Sequence, residues 1–332
     1  MTRPKSTQAL SLREGGFASA PTPQVPDSLA PFLELAEVQL PDPGPGQVVI
    51  EVTMAPVNPS DLFFVQGGYG QPRVQVIAGN GPQAEALIGK RVSFLGTGTG
   101  AWARHALTDA AICIPLHDAV KDADAAALIV NPLTAVALVE RVKEAGSTAF
   151  FVNAAGSQLG RLILGLARDE GLTAIAVIRR SGAEQALLDA GAAAVLVSSE
   201  DGFAAQTRAV IKEHKPRVLL DAVGDQATAD LFFAMPNGAR WVSYGKMSDQ
   251  APALTQMGQF IFMDKHIEGF WLSRWLPAAA PERRIAVITQ VQERFASGKW
   301  KTRVAAELSL DQAIDGILPA LATGAGKVMI KP

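Results

Sequence analysis

From about residue 125 onward, short apolar runs alternate with longer segments in which apolar residues recur with a helical period. The runs are predicted strands at residues 148–153, 173–178, 194–197, 217–222 and 239–244. Strands that alternate with helices of this length form parallel sheets, because each parallel pair needs a long, right-handed crossover connection. The sequence therefore predicts an α/β fold with a doubly wound parallel sheet and helices on both faces.

The preceding part of the chain has a different character. Proline and glycine interrupt it frequently, and short β-type runs lie between them, as at residues 47–53 and 90–95. Such short strands predict a β-rich unit, whereas the many prolines of residues 21–45 predict loop and edge rather than central strand. With 332 residues, the chain is long enough for two domains.

Composition and charge exclude several classes of protein. Lys plus Arg total 30 against 32 for Asp plus Glu, and this balance argues against binding to nucleic acid or to an anionic membrane. The richest apolar stretch, residues 125–139, is interrupted by Asn131-Pro132 and is too short to span a bilayer. The single cysteine excludes an intrachain disulfide, and the 4 histidines are scattered. We therefore expect a small-molecule substrate, no metal and a cytoplasmic location.

A tight turn between a strand and a helix is the first candidate site. The strand that ends at Asn153 is followed by Ala154-Ala-Gly-Ser-Gln-Leu-Gly160, a degraded form of the GxGxxG pattern, and then by a helix. Such a turn directs backbone N–H groups and the positive end of the helix towards a pyrophosphate. Packing of the helix against the strand is the alternative interpretation, and the pattern alone does not separate the two.

Two arginines follow the second strand of this βαβ unit. A protein that binds NAD places Asp or Glu here, where the carboxylate accepts hydrogen bonds from the ribose. Arg179 and Arg180 stand there instead, and guanidinium groups match the charge and geometry of a phosphate dianion. They indicate a preference for NADPH; a solvated, charged strand end is the alternative interpretation.

Several segments, taken in order, resemble the medium-chain dehydrogenase/reductase superfamily. They span almost the whole chain and lie at residues 40–46, 58–61, 66–70, 100–102, 130–135, 153–157, 244–248 and 269–275. The resemblance is closest to the quinone reductase branch and, within it, to the 2-enoyl thioester reductases of mitochondrial type. Members that use zinc bind it through Cys and a Gly-His-Glu motif. Here Asn58-Pro59-Ser60 replaces the Cys region and Gly-His-Glu is absent, so the resemblance implies a zinc-independent enzyme.

The resemblance also implies a domain organisation. Residues 1–128 and 276–332 would form a discontinuous, GroES-like, β-rich catalytic domain. Residues 129–275 would form an inserted Rossmann domain, with NADPH in the cleft between the two domains. A homodimer is expected from the family alone.

The resemblance assigns roles to individual residues. Tyr69 matches a tyrosine that hydrogen-bonds or protonates the substrate, since hydride addition to an α,β-unsaturated carbonyl builds charge on oxygen; a structural turn residue is the alternative. Asn58 would be its catalytic neighbour, and Trp271 would lie near the nicotinamide or, alternatively, in the core. The residues expected to bind the cofactor are Asn131, Thr134, Ala155, Gly156, Ser157, Gln158, Leu159, Gly160, Arg179, Arg180, Tyr244, Gly245, Phe270, Trp271, Leu272 and Lys327.

One departure from the family pattern affects the functional hypothesis. A Pro-Gly-Phe-Glu-Gly-x-Gly segment normally follows the tyrosine loop, but residues 73–79 come almost at once here, as though part of the barrel were missing.

The leading hypothesis is a zinc-independent NADPH oxidoreductase that reduces an activated C=C bond, as in a 2-enoyl thioester. The alternatives are an NADPH:quinone oxidoreductase and a non-enzymatic NADPH-binding protein.

Overall fold

The structure is a computed structural model that describes residues 4–13, 26–65, 82–96 and 99–332. The chain divides into two compact units. The first unit comprises Met1–Ile129 and Gln292–Pro332, and the second comprises Val130–Val291.

Short antiparallel strand pairs and short helices build the amino-terminal part of the first unit. Its strands are β1 (Ser6–Leu12), β2 (Leu33–Gln39), β3 (Gln47–Glu51), β4 (Ala55–Pro56), β5 (Val92–Ser93), β6 (His105–Asp109) and β7 (Ile114–Pro115). Its helices are α1 (Pro59–Val65), α2 (Pro82–Glu85) and α3 (Asp122–Ala126). The antiparallel pairs are β1 with β2, β3 with β6, and β5 with β7.

Residues 21–45 agree with the prediction of loop and edge, whereas a later strand differs from its prediction. The strand β2 pairs with β1 along its whole length in a two-stranded sheet, and the described residues on either side of it, 26–32 and 40–45, lie outside strands and helices. The prolines flank β2 instead of interrupting it, which leaves every β2 residue free to join the ladder. The strand predicted at residues 90–95 is reduced to Val92–Ser93.

The second unit alternates helices and strands. In chain order these are α4 (Val130–Glu144), β8 (Ala149–Val152), α5 (Gln158–Asp169), β9 (Thr173–Ile178), α6 (Glu184–Ala190), β10 (Ala194–Val197), α7 (Phe203–His214), β11 (Val218–Asp221), α8 (Gln226–Ala234), β12 (Arg240–Ser243), α9 (Gly258–Phe262), β13 (His266–Gly269) and α10 (Leu272–Ala278). The strands form one parallel sheet of order β10-β9-β8-β11-β12-β13. This is the doubly wound Rossmann arrangement, and it confirms the predicted fold class.

The burial of this sheet explains why most of its strands could be predicted from the sequence. Every residue of β8 and β11 is buried, because helices cover both faces of the central strands. Phe151 and Leu219 belong to one buried cluster with Phe232 and Trp241, whose rings lie 5.6 Å apart. The sixth strand, β13, was not predicted, because His266-Ile-Glu-Gly269 lies at the sheet edge and lacks a continuous apolar run.

The carboxyl-terminal segment completes the first unit. It contains the last residues of α11 (Pro281–Ala296), followed by β14 (Val304–Leu308), α12 (Leu310–Ala322) and β15 (Lys327–Ile330). β15 pairs parallel with β14 and antiparallel with β4, so segments from either side of the second unit share a sheet. They also share a core, in which Val57 and Leu62 join Ile317 and Val328.

The return to the first unit occurs later than residue 276, where the sequence interpretation placed it. The boundary lies between Val291 and Gln292, inside α11. The physical reason is packing: α10 contacts α4, and the ring of Trp275 lies 6.5 Å from that of Phe270. Residues 276–291 therefore belong to the second unit.

Candidate functional site

The strand order of the second unit locates its candidate site. From β8 the chain proceeds through β9 to β10 at one edge, whereas from β11 it proceeds through β12 to β13 at the other. The winding direction therefore reverses between β8 and β11. Ligands of open parallel sheets bind at such a switch point, beyond the carboxyl ends of the strands. The candidate site therefore consists of the residues that follow β8, β9, β11, β12 and β13.

The turn after β8 has backbone features that only certain residues tolerate. Ala154 has a φ of 47°, a left-handed conformation that is uncommon for a residue with a side chain. A Cβ at Gly160 would lie 2.5 Å from the carbonyl oxygen of Ala155, so only glycine allows α5 to start this close to the turn. Ser157 is the N-cap of α5, and its Oγ accepts from the N–H of Gly160 at 3.1 Å.

Space remains at the outer side of this turn. A Cβ at Gly156 would meet no atom within 4 Å, so the backbone is open there. Gln158 and Leu159 begin α5, whose first N–H groups lack partners within the helix, as in any helix. An open backbone beside a helix amino terminus fits a phosphate group, and the predicted residues Ala155 to Gly160 are brought together here.

A buried polar network joins the ends of the two strands at the switch point. The Asn153 amide donates to Asp221 Oδ1 at 2.5 Å and to Thr228 Oγ1 at 3.1 Å, while its oxygen accepts from the N–H of Ala222 at 2.7 Å. Asp221 is fully buried and also accepts from the Trp241 indole at 2.8 Å.

Asp221 further shapes the loop that follows β11. Its Oδ1 accepts from the N–H groups of Val223 and Gly224 at 2.8 and 2.9 Å. Sequence reasoning missed Asn153 and Asp221 as site residues. The available signal was a polar residue at the end of each of two otherwise apolar strands.

The predicted arginines lie at the end of β9. Both side chains are exposed, and among the described residues no carboxylate forms an ion pair with either. The nearby acid, Glu184, accepts from the N–H of Gly182 at 2.6 Å. Backbone hydrogen bonds from Glu184, Gly182 and Ala183 lower the pKa of this carboxyl, which is thereby held on its own turn. Arg179 and Arg180 are thus the exposed charges at this strand end.

The residues after β12 approach the same strand ends. A Cβ at Gly245 would lie 2.9 Å from the Ala222 carbonyl oxygen, so glycine lets these two loops meet. Tyr244 is half-buried, and burial raises the pKa of its phenol, with a further contribution from the Asp221 charge. The phenol is consequently neutral at physiological pH.

The residues after β13 divide into buried and exposed. Phe270 is buried, Leu272 begins α10 and is half-buried, and Trp271 is 46% exposed. Trp271 is therefore not a residue of the hydrophobic core.

On α4, Asn131 and Thr134 lie one turn apart and are half-buried and buried, respectively.

In the first unit, Asn58 and Lys327 are brought together. The buried Lys327 ammonium donates to Asn58 Oδ1 and, at 3.3 Å, to the carbonyl oxygen of Val57. Asp61, another residue of the same segment, accepts from the Asn58 N–H at 2.7 Å. Tyr69 and the shortened segment that follows Arg73 lie outside the described residues, so the role of Tyr69 stays a prediction.

Metal-binding and membrane-spanning features are both absent from the described residues. Their His, Cys, Asp and Glu side chains do not gather in groups of three, as a metal site would need. Within the described ranges, each helix is too short or too polar to cross a lipid bilayer.

Comparison with known proteins gives consistent relatives, although no protein-family model matches the chain. A Mesorhizobium loti protein provisionally named an NADPH:quinone reductase is 43% identical, with a TM-score of 0.93 and coverage of 100% of both chains. The mitochondrial enoyl-(acyl-carrier-protein) reductase of Bos taurus is 28% identical over 300 residues, which are 85% of this chain and 79% of that protein.

The third similarity is to Etr1p, whose structure was solved in complex with NADP and crotonyl-CoA. It is 19% identical, with a TM-score of 0.81, and the match covers 98% of this chain and 100% of Etr1p. A mitochondrial 2-enoyl thioester reductase of Candida tropicalis, the Etr1p/Etr2p heterodimer, matches with a TM-score of 0.78. At this identity the two structures support the fold alone.

Proposed function

Because this chain belongs to the medium-chain dehydrogenase/reductase superfamily, in the branch of quinone reductases and 2-enoyl thioester reductases, we propose that it is an NADPH-dependent oxidoreductase. Its reaction is reduction of an activated C=C bond in a 2-enoyl thioester or a similar α,β-unsaturated carbonyl compound. The observation that carries the proposal is the turn after β8, where Gly160 packs on Ala155 and Gly156 leaves the backbone open.

The residues at the switch point fit NADPH. The open turn at Gly156 and the amino terminus of α5 would hold the pyrophosphate, since both present N–H donors to an anion. Arg179 and Arg180 would hold the 2′-phosphate through charge and forked hydrogen bonds. When bound, NADPH supplies the hydride, and the remaining requirements are met by the chain's own residues.

The protein's part in the reaction is to hold the substrate and to stabilise charge. Hydride addition at Cβ of the unsaturated carbonyl builds negative charge on its oxygen, and the product needs a proton at Cα. A neutral phenol can donate to either atom. Tyr69 is proposed for this role on the family resemblance, and Asn58 is proposed as a neighbouring donor.

A direct assay tests the proposed function. Purified protein is mixed with NADPH and crotonyl-CoA, and loss of NADPH absorbance is compared with formation of butyryl-CoA. We expect both to proceed at the same rate. NADPH that binds without being oxidised, with crotonyl-CoA or any quinone as the acceptor, would contradict an enzymatic role.

A quinone reductase is the second candidate function. It is favoured by the similarity to the Mesorhizobium loti protein, which extends over the full length of both chains. The same assay separates the two candidates when 1,4-benzoquinone and 1,4-naphthoquinone replace crotonyl-CoA. A higher kcat/KM with the quinones would assign the activity to the second candidate.

We also propose a homodimer that forms through β13. This strand lies at the edge of the sheet and pairs only with β12 among the described strands, so one row of its backbone groups is open. Ile267 is 42% exposed on it, and Ile261 and Phe262 of α9 are 76% and 82% exposed. Antiparallel pairing of two copies about Ile267 would set His266 of one against Glu268 of the other, which favours self-association.

Two further properties rest on the sequence. A single cysteine supports a reducing compartment and hence the cytoplasm, whereas the curated relative from Bos taurus is mitochondrial. Asn58-Pro59-Ser60 at the position of the zinc-binding cysteine supports hydride transfer without zinc.

A further inference from the structure

The start of α1 departs from ordinary helix capping. Asn58 is the N-cap, Pro59 is the first helical residue, and the Asp61 carboxylate accepts from the Asn58 N–H at 2.7 Å, as in one half of a capping box. The Asn58 side chain would normally accept from an N–H of the first helical turn. Here its Oδ1 accepts from Lys327 instead. An N-cap side chain that bonds to another partner does not stabilise its own helix, and such a loss of local stability is typical of functional sites.

The partner of Asn58 is an unusual lysine. Lys327 is only 7% exposed, and burial lowers the pKa of its ammonium to about 8, although the Asp61 charge opposes that shift. An ammonium has three N–H donors. The described residues supply two acceptors, Asn58 Oδ1 and the Val57 carbonyl, and none of them accepts from the third N–H.

Asp61 is the charged group that acts on Lys327. Burial raises the pKa of its carboxyl to about 6, against the opposing effects of the Asn58 N–H, the Lys327 charge and the Asn58 side chain. Asn58 therefore connects the two charged groups: its side-chain oxygen accepts from Lys327, and its backbone N–H donates to Asp61. The opposite charges nearly cancel, so the cluster suits a neutral oxygen better than a phosphate.

We propose that Asp61 is a positioning residue: it acts through Asn58 to keep Lys327 charged and oriented, so that the remaining N–H of Lys327 meets a carbonyl or hydroxyl oxygen of the bound substrate or cofactor. The proposal rests on the proposed reductase function, because it assigns a ligand to a site of that enzyme. It adds Asp61, which the sequence comparison with the family did not single out as a site residue.

The first test measures the lysine directly. Protein carrying ¹⁵N-labelled lysine is titrated, and the Lys327 Nζ resonance is identified by its loss in Lys327→Gln. In Asp61→Asn the midpoint of the Lys327 titration should fall by about one unit, because the neighbouring negative charge is gone. Asp311→Asn is the matched control, since Asp311 is an exposed acid in the first turn of α12. An unchanged midpoint in Asp61→Asn would overturn the proposal.

The second test separates positioning from simple stabilisation. We expect Asp61→Asn to shift the basic limb of the pH profile of kcat/KM to lower pH, whereas Asp61→Glu, which keeps the charge, should restore it. A loss of helix stability alone would lower the melting temperature of both variants and leave the limb in place. Loss of activity at every pH with an unmoved limb would count against the proposal.

The third test keeps this inference distinct from the proposed function. NADPH and crotonyl-CoA are added, singly and together, to wild-type protein while the Lys327 resonance is observed. We expect at least one of them to shift it, even in a preparation that reduces no acceptor. Binding of both without any change at Lys327 would refute the inference and leave the reductase assignment intact.

Discussion

Asn153 and Asp221 stand at matching positions, at the carboxyl ends of the adjacent strands β8 and β11, and the Asn153 amide donates to the buried Asp221 carboxylate at 2.5 Å. The pair joins the two halves of the sheet where their winding diverges. Asp221→Asn would place an NH₂ group against several N–H donors, and we expect it to lower the free energy of unfolding by about 2–3 kcal/mol.

Denaturant unfolding measures this change, and NADPH affinity should fall with it because the loops after both strands lose a common anchor. Asp230→Asn is the matched control, since Asp230 is an exposed acid on α8. An Asp221→Asn protein as stable as the control would contradict the structural role of the network.

Two glycines of the turn after β8 should respond differently to alanine. A Cβ at Gly160 would overlap the Ala155 backbone, so Gly160→Ala should destabilise the protein by about 1–3 kcal/mol. A Cβ at Gly156 has open space around it, so Gly156→Ala should leave stability nearly unchanged yet weaken NADPH binding. Thermal melting measures the stability of both variants, and calorimetric titration measures their affinity for NADPH. If both variants lost the same stability and the same affinity, the proposed pyrophosphate-binding site at Gly156 would be contradicted.

The arginine pair should determine the choice between NADPH and NADH. Replacing Arg179 and Arg180 together by alanine removes two charges from the 2′-phosphate, and we expect KM for NADPH to rise at least about tenfold. KM for NADH should change little. Arg208→Ala, an exposed arginine of α7, is the control. Equal losses for the two cofactors would refute recognition of the 2′-phosphate.

Tyr69→Phe removes one hydroxyl group and tests the proposed donor. A positioned proton donor typically contributes about 10²–10⁴ in rate, so kcat for crotonyl-CoA should fall by that factor. NADPH affinity serves as the internal control and should stay constant, since the phenyl ring remains. Retention of full enoyl reduction by Tyr69→Phe would remove the tyrosine from the mechanism.

Ile267→Lys tests the dimer. A lysine at the middle of β13 would set two like charges against each other across the two-fold pairing, and edge lysines oppose strand pairing in general. Light scattering should then report the mass of one chain instead of two. Ile285→Lys is the control, because Ile285 is a similarly exposed isoleucine, at 66%, on α11. A monomeric wild-type protein would refute the proposal outright.

The sequence predicted the second unit far better than the first, and the reason is burial. Strands such as β9 and β10 are apolar on both faces, so a continuous run such as Ala194–Val197 is readily recognised. β2 carries a charged or polar residue at several positions and lies half-buried, and β13 is an edge strand, so neither has such a run. Short helices such as α9 offer too few turns to show a period.

The candidate site was predictable where chemistry shows in local sequence. The turn at Ala155–Gly160 and the arginines at the end of β9 could be recognised from spacing. The surroundings of Asp221 and Asp61 could not, because their partners are distant in sequence: Asn153 bonds to Asp221, and Asn58, which bonds to Asp61, also bonds to Lys327.

The pairing of β15 with β4 has a consequence for synthesis on the ribosome. The second unit is continuous, so it can complete its sheet once β13 has emerged. The first unit cannot, because Ala55 pairs with Ile330, which is translated only after the whole second unit. Val57 and Leu62 share their core with Ile317 and Val328, so this core stays incomplete until the last strand has been made, and exposed apolar surface of that kind is prone to aggregate.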